Sequence, residues 1–162
     1  MSLEMPDQSR LHAAHGYVEL GMYDAANAEL EEIEPLCRHL PEILTARVAI
    51  YRALKKWDLM AIFAAKLVGW NPGEPGHFVN LAYAQRRAES LEVAYHTLTR
   101  AAGLHPNDGT IQFNLACYEA QMGNLNKANE HLTRATAIDP KFKLMAMGDS
   151  DLEPLWALLT TD

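Results

Sequence analysis

Three prolines, Pro72, Pro106 and Pro140, stand thirty-four residues apart, and each closes a similar phrase: LVGWNP, AAGLHP and ATAIDP. A fixed period of that length restricts the fold severely. It marks one small structural unit that cannot bury its apolar face alone and must stack on copies of itself. Ala94 and Ala128 keep the interval, as do Leu98 and Leu132, Ala101 and Ala135, Leu81 and Leu115, and Ala82 and Ala116. Extended backwards, the grid aligns Tyr23, Ala26 and Leu30 with Trp57, Met60 and Ala64. Four units result, 7–40, 41–74, 75–108 and 109–142, with no insertion between them.

Apolar spacing and breakers divide each unit into two helices, near 8–20 and 24–38, 42–54 and 58–70, 76–88 and 92–104, and 110–122 and 126–138. Gly21 and Gly123 fall where a first helix turns into a second, a place for left-handed backbone. Each closing Pro stops a second helix. Unit one has Arg38 where the others have Pro. Beyond Phe142 the pattern lapses, and KLMAMGDSDLEPLWALL reads as a short helical turn and then a helix opened by Asp151, with Pro154 in its first turn. Leu152, Leu155, Trp156 and Leu159 are spaced to cover the last apolar face of a stacked array. A partner-docking helix is the alternative.

These residues resemble the tetratricopeptide repeat. Unit four carries Leu115, Ala116, Gly123, Ala128, Leu132, Ala135 and Pro140 at the signature points, and unit three carries Phe78, Leu81, Ala82, Ala94, Leu98, Ala101 and Pro106. Unit two is looser, with Leu44, Val48, Tyr51, Met60, Ala64 and Pro72, and unit one keeps Ala14, Tyr17, Gly21, Ala26 and Leu30. The resemblance implies an all-α, right-handed α-solenoid of four helix pairs with a C-terminal capping helix over 143–162, the whole of 1–162 forming one domain.

Chemistry is sparse. The sequence has no G-x-S-x-G, G-x-x-x-x-G-K-[ST], H-E-x-x-H or G-x-G-x-x-G, and DPKFKLMAMGDSD does not follow a calcium loop. His12, His15 and Glu19 share one helix face, but no further ligand or supporting shell accompanies them, so neither a metal nor a cofactor is expected. Cys117 has no base placed beside it by the sequence, and a free cysteine is most often a small buried apolar residue. The chain therefore reads as a non-enzyme. A net charge of −7 argues against a nucleic-acid surface. Two cysteines, Cys37 and Cys117, make no disulfide framework and suit a cytoplasmic protein. The N-terminus has no signal-peptide pattern and no apolar run approaches a membrane span.

The resemblance implies a peptide-binding groove lined by the first helix of each unit. Carried over, its positions are His12, His15 and Glu19; Thr45, Ala49 and Arg52; Val79, Asn80, Tyr83, Arg86 and Arg87; and Phe113, Asn114, Cys117 and Gln121. Asn80 and Asn114 are equivalent, and an amide can pair with any peptide backbone. Arg52, Arg86 and Arg87 would form a basic stripe suited to carboxylates, or else a solvated set at helix ends, where positive charge is favoured. The family's chaperone-binding members hold a carboxylate clamp, but Leu11, Thr45, Val79 and Phe113 stand where its lysine would be. The expected partner is a protein or peptide with acidic and apolar character, bound by an adaptor or scaffold. A dedicated chaperone for a secreted or aggregation-prone client is the alternative, and a metal protein or enzyme a third. A homo-oligomer has no support in the sequence.

Overall fold

The second helix of every repeat, together with the bend just after it in the first, presents three residues, at spacings of four and three, that the structure buries almost completely. They are Ala26, Leu30 and Ile33; Met60, Ala64 and Leu67; Ala94, Leu98 and Ala101; and Ala128, Leu132 and Ala135, none more than 2% exposed. Four identical burial patterns at one period are the structural counterpart of the sequence grid. The computed structural model describes residues 2–160, whose regular structure is all helical. In order these are α1 (Met5–Glu19), α2 (Tyr23–Glu31), α3 (Pro41–Ala53), α4 (Trp57–Trp70), α5 (Pro75–Ala88), α6 (Leu91–Leu104), α7 (Gly109–Gln121), α8 (Leu125–Ile138), α9 (Lys141–Gly148) and α10 (Trp156–Leu159). The chain divides into two compact units, Met1–Glu89 and Ser90–Asp162. In the first, α1 pairs with α2, α3 with α4, and α2 and α4 also pack on α3 and α5; in the second, α7 packs on α6 and α8.

The turns between paired helices follow one recipe. Gly21 and Gly123 have φ of +71° and +82°. The helix end at each is sealed by paired backbone bonds, Gly21 to Val18 and Met22 to Tyr17, then Gly123 to Ala120 and Asn124 to Glu119. This closure needs a left-handed residue, for which glycine has no steric penalty. Lys55 holds the same grid position and the same conformation, φ +56°, with Lys55 bonded to Arg52 and Lys56 to Tyr51. At the fourth equivalent position Glu89 takes φ −124° and ψ −90° instead, and the division into two units falls there.

Three polar side chains occupy core positions of the grid. Arg47 sits where later repeats have Leu81 and Leu115, Gln112 where earlier ones have Leu44 and Phe78, and Glu119 where earlier ones have Tyr17 and Tyr51; the three are 3%, 4% and 1% exposed. Each is satisfied. Arg47 donates to Glu31 Oε1 at 2.8 Å and to Asn27 and Tyr51, and it lies over the Phe63 ring. Gln112 Oε1 meets His131 Nδ1 at 2.8 Å. Glu119 accepts from Tyr95 Oη and Asn124 Nδ2, both at 2.7 Å. The Tyr95 bond raises the phenol above its ordinary pKa, since the carboxylate favours the protonated hydroxyl, while burial followed by Arg134 lowers that of His131.

Two sequence expectations are corrected. The helix read over 24–38 ends at Glu31, and a 3-10 turn follows over Pro35–Cys37. Pro35 lacks an N–H and disfavours helical backbone at Glu34, so the break comes before Arg38. In the tail, α9 is a two-turn helix, and the following residues Ser150–Leu155 form a 3-10 segment. Its cap is Asp149, whose Oδ1 accepts from Asp151 N at 2.9 Å, not Asp151. Leu152 and Leu155 are fully buried as a lid requires, whereas Trp156 and Leu159 are half-buried. The last two positions of the expected cap, 161 and 162, lie outside the described residues.

Two stability measurements follow from these features. Lys55→Gly should raise the unfolding free energy by about 0.5–1 kcal/mol, because removing the Cβ relieves a left-handed residue by more than the unfolded chain gains in freedom. Denaturant titration checks it, and no gain would mean that the lysine is unstrained. Arg47→Ala should cost about 3 kcal/mol or more by opening a hole and stranding its partners, whereas Arg47→Leu, restoring the repeat's residue, should stay within about 1 kcal/mol of the parent.

Candidate functional site

On α5, Asn80, Tyr83 and Arg87 follow each other at i, i+3 and i+7 and so share one face; on α3, Thr45, Ala49 and Arg52 share one at i, i+4 and i+7. The first unit brings the two faces together. Arg52 Nη1 reaches Asn80 Oδ1 at 3.4 Å, and its guanidinium carbon stands 4.5 Å from the Tyr83 ring centroid. Arg87 approaches the same ring at 3.5 Å, lies 5.2 Å from the Trp57 ring, and donates through Nη1 to Tyr83 O at 3.0 Å. Trp57, the first residue of α4, meets Tyr83 edge-on at 5.7 Å and 71°. The result is a cation–aromatic cluster assembled from three helices.

Two cavities adjoin the cluster. One, of about 380 Å³, lies between α3 and α5 and is lined by Thr45, Val48, Ala49, Arg52, His77 and Asn80 among others. The other, of about 340 Å³, is bounded by Lys55, Lys56, Trp57, Asp58, Leu59 and Arg87. Arg52 closes the C-terminal turn of α3, and Arg86 and Arg87 that of α5, so the helix dipoles favour their charge. Lys55, Lys56 and Trp57 were not among the groove residues taken from sequence. The signal available was the Lys-Lys pair at the turn, followed by Trp57 where the other repeats have Tyr23, Leu91 and Leu125.

The remaining positions separate. His12, His15 and Glu19 are exposed on α1. Arg86 is half-buried. Asn114 is half-buried and donates to Thr110 O within its own helix at 2.9 Å, so the two equivalent asparagines use their amides differently. Phe113 and Cys117, placed in an open groove by sequence, are only 6% and 3% exposed. The C-terminal segment covers them. Phe113 stacks on Phe142 at 5.5 Å, Cys117 Sγ sits 3.8 Å from Asp149 Oδ2, and Gln121 Nε2 donates to Asp151 O at 3.2 Å. Trp156 Nε1 ties the segment back to Ala146 O at 2.8 Å. The close seating of Phe142 explains Gly109, where any Cβ would run into the Phe142 ring and Ile138.

Among the described residues, two groups of possible metal ligands lie within 4.8 Å of one another: Asp7, Glu34 and Cys37, and Cys117, Asp149 and Asp151. His12, His15 and Glu19 do not form a third. Burial and then the Glu34, Asp7 and Glu4 carboxylates push the Cys37 thiol pKa up, which leaves it a poor nucleophile.

Phe142→Ala should destabilise the protein by about 3 kcal/mol and expose Cys117. Chemical unfolding reads the first effect, and faster labelling of Cys117 than of Cys37 under native conditions reads the second. Unchanged labelling would show that other contacts alone keep the segment closed.

No family model and no curated protein matches the chain. Solved structures do. A structure of MamA MSR-1 aligns with TM-score 0.72 and 24% identity over 83% of this chain and 78% of that one. MamA from Desulfovibrio magneticus RS-1 aligns with TM-score 0.74 and 17% identity over 83% and 76%. A thermophilic TPR protein of Thermus thermophilus aligns with TM-score 0.67 and 23% identity over 95% and 83%. At these identities the likeness is one of fold. Taken with the 34-residue grid and the all-helical architecture, it makes this chain a TPR-like protein with an α-solenoid fold.

Proposed function

We propose that this interaction scaffold acts as an adaptor that binds an extended protein segment along the α3–α5 face of its first unit. The observation that carries the reading is the joining of Arg52, Asn80, Tyr83 and Arg87 into one cluster beside the 380 Å³ cavity. Asn80 offers an amide to the segment's backbone, the cavity takes an apolar side chain against Val48 and Ala49, and the arginines receive acidic groups. Rigid helices hold these groups in place before binding, which reduces the ordering cost of association. The surface of α7 contributes less than the resemblance implies, because the C-terminal segment lies over Phe113 and Cys117. Asn114 remains half-exposed there.

A non-catalytic role fits a site made of stacked cations and an amide, with neither a nucleophile nor a base poised against one another. A cytoplasmic setting fits two buried cysteines that form no disulfide with each other, and no described helix is long and apolar enough to cross a membrane.

Asn80→Ala should weaken capture of a peptide from a degenerate nine-residue library by about fivefold without altering the melting curve, since one exposed backbone-pairing bond contributes about 1 kcal/mol. Asn114→Ala should have a smaller effect. If Asn80→Ala leaves the affinity unchanged, the α3–α5 face is not the peptide site.

A further inference from the structure

We infer that the Arg52–Tyr83–Arg87 cluster, with Lys55 and Lys56 beside it, receives a phosphate monoester carried by the docked segment, so that phosphorylation of the partner controls its binding. This rests on the peptide-binding reading of the same face.

The first ground is charge. Two guanidinium carbons, from different helices, lie within 4.5 Å of one ring centroid. Stacking on tyrosine offsets only part of the repulsion between them. Among the described residues, neither arginine has a carboxylate within ion-pairing distance, nor has Lys55 or Lys56. Arg10, Arg38 and Arg47, in the same unit, all do. In a chain of net charge −7, these four neighbouring cations without an ion-pair partner gather into one basic patch open to an anion. Among the described residues, Asp58 is the only acid on the wall of the 340 Å³ cavity, set against Lys55, Lys56 and Arg87.

The second ground is valence. Arg52 gives one bond to Asn80 and Arg87 one to Tyr83 O, which leaves most of the five donors on each guanidinium available. A carboxylate brings one charge and two oxygens. A phosphate monoester brings a charge of roughly −1.5 to −2 and three oxygens, and can accept from both guanidiniums at once. A nucleic-acid diester brings a single charge per group, on a polyanion that a net charge of −7 repels. Aromatic support from Tyr83 and Trp57 keeps the arginines in place when no anion is bound, so the site is formed in advance.

The test uses the full chain and three degenerate nine-residue peptide pools with phosphoserine, serine or Asp-Asp at the centre, together with inorganic phosphate and a single-stranded oligonucleotide. The phosphoserine pool should bind at least about tenfold tighter than the serine pool and tighter than the Asp-Asp pool. Arg52→Gln and Arg87→Gln should each reduce that preference, and the double variant should abolish it with its melting curve preserved. Arg134→Gln, on the exposed face of α8, should leave it intact. Inorganic phosphate should compete only weakly, because it lacks the segment's other contacts. Equal binding of phosphoserine and serine pools overturns the inference, as does equal binding of the Asp-Asp pool, a preference that survives the double variant, or tighter binding of the oligonucleotide. Serine-pool binding that depends on Asn80 but shows no phosphate preference removes this inference and leaves the peptide reading standing. If no pool binds, both fail.

Discussion

The structure depends on the inner face of the second helix in each repeat. Three positions per repeat, the third lying just beyond α2 in the first, are sealed by apolar residues, and this leaves the other faces free to vary. Alanine at Ala26, Ala94 and Ala128 lets the neighbouring helix come close, and Leu30, Leu98 and Leu132 fill the space beyond it. Close packing of this kind tolerates little change in volume, so the period is kept where side chains meet and lost where they face solvent. The left-handed turn is the second fixed element. It recurs at Gly21, Lys55 and Gly123 and gives way to a backbone of negative φ at Glu89.

Repetition raises a problem of register, because helices with similar apolar faces can pair in more than one way. The buried polar groups answer it. Arg47 joins α3 to Asn27 and Glu31 on α2, Glu119 joins α7 to Tyr95 on α6, and Gln112 joins α7 to His131 on α8. Each is bonded in the observed pairing and would strand a buried polar atom in a shifted one, which raises the energy of the alternatives. No buried side-chain nitrogen or oxygen among the described residues lacks a partner.

The same packing determines which surface remains open. On α3 and α5 the positions matched to a groove remain accessible, and the supporting α4 delivers Trp57 to the edge of Tyr83. On α7 the equivalent positions are closed by Phe142 and the segment after it, anchored by Leu152 and Leu155. A family pattern assigns groove positions repeat by repeat and cannot register what a non-repeating tail does to the last of them. That is why Arg52, Asn80, Tyr83 and Arg87 come together while Phe113 and Cys117 are covered.

Sequence alone determined the helical class, the period, seven of the eight repeat helices to within a few residues, and the two glycine turns. All of these follow from local spacing and backbone sterics, which are written in the order of residues. It also marked Arg52 and Arg86 as equivalent basic positions, with Arg87 adjacent. Tertiary structure alone decided that Arg52 and Arg87 share one tyrosine ring, that Arg47, Gln112 and Glu119 are buried with partners, and that the tail closes over α7. Those outcomes depend on side chains from distant helices meeting in space. A polar residue in an apolar grid position reads as a flaw until its partner, sixteen to twenty-four residues away, is seen beside it.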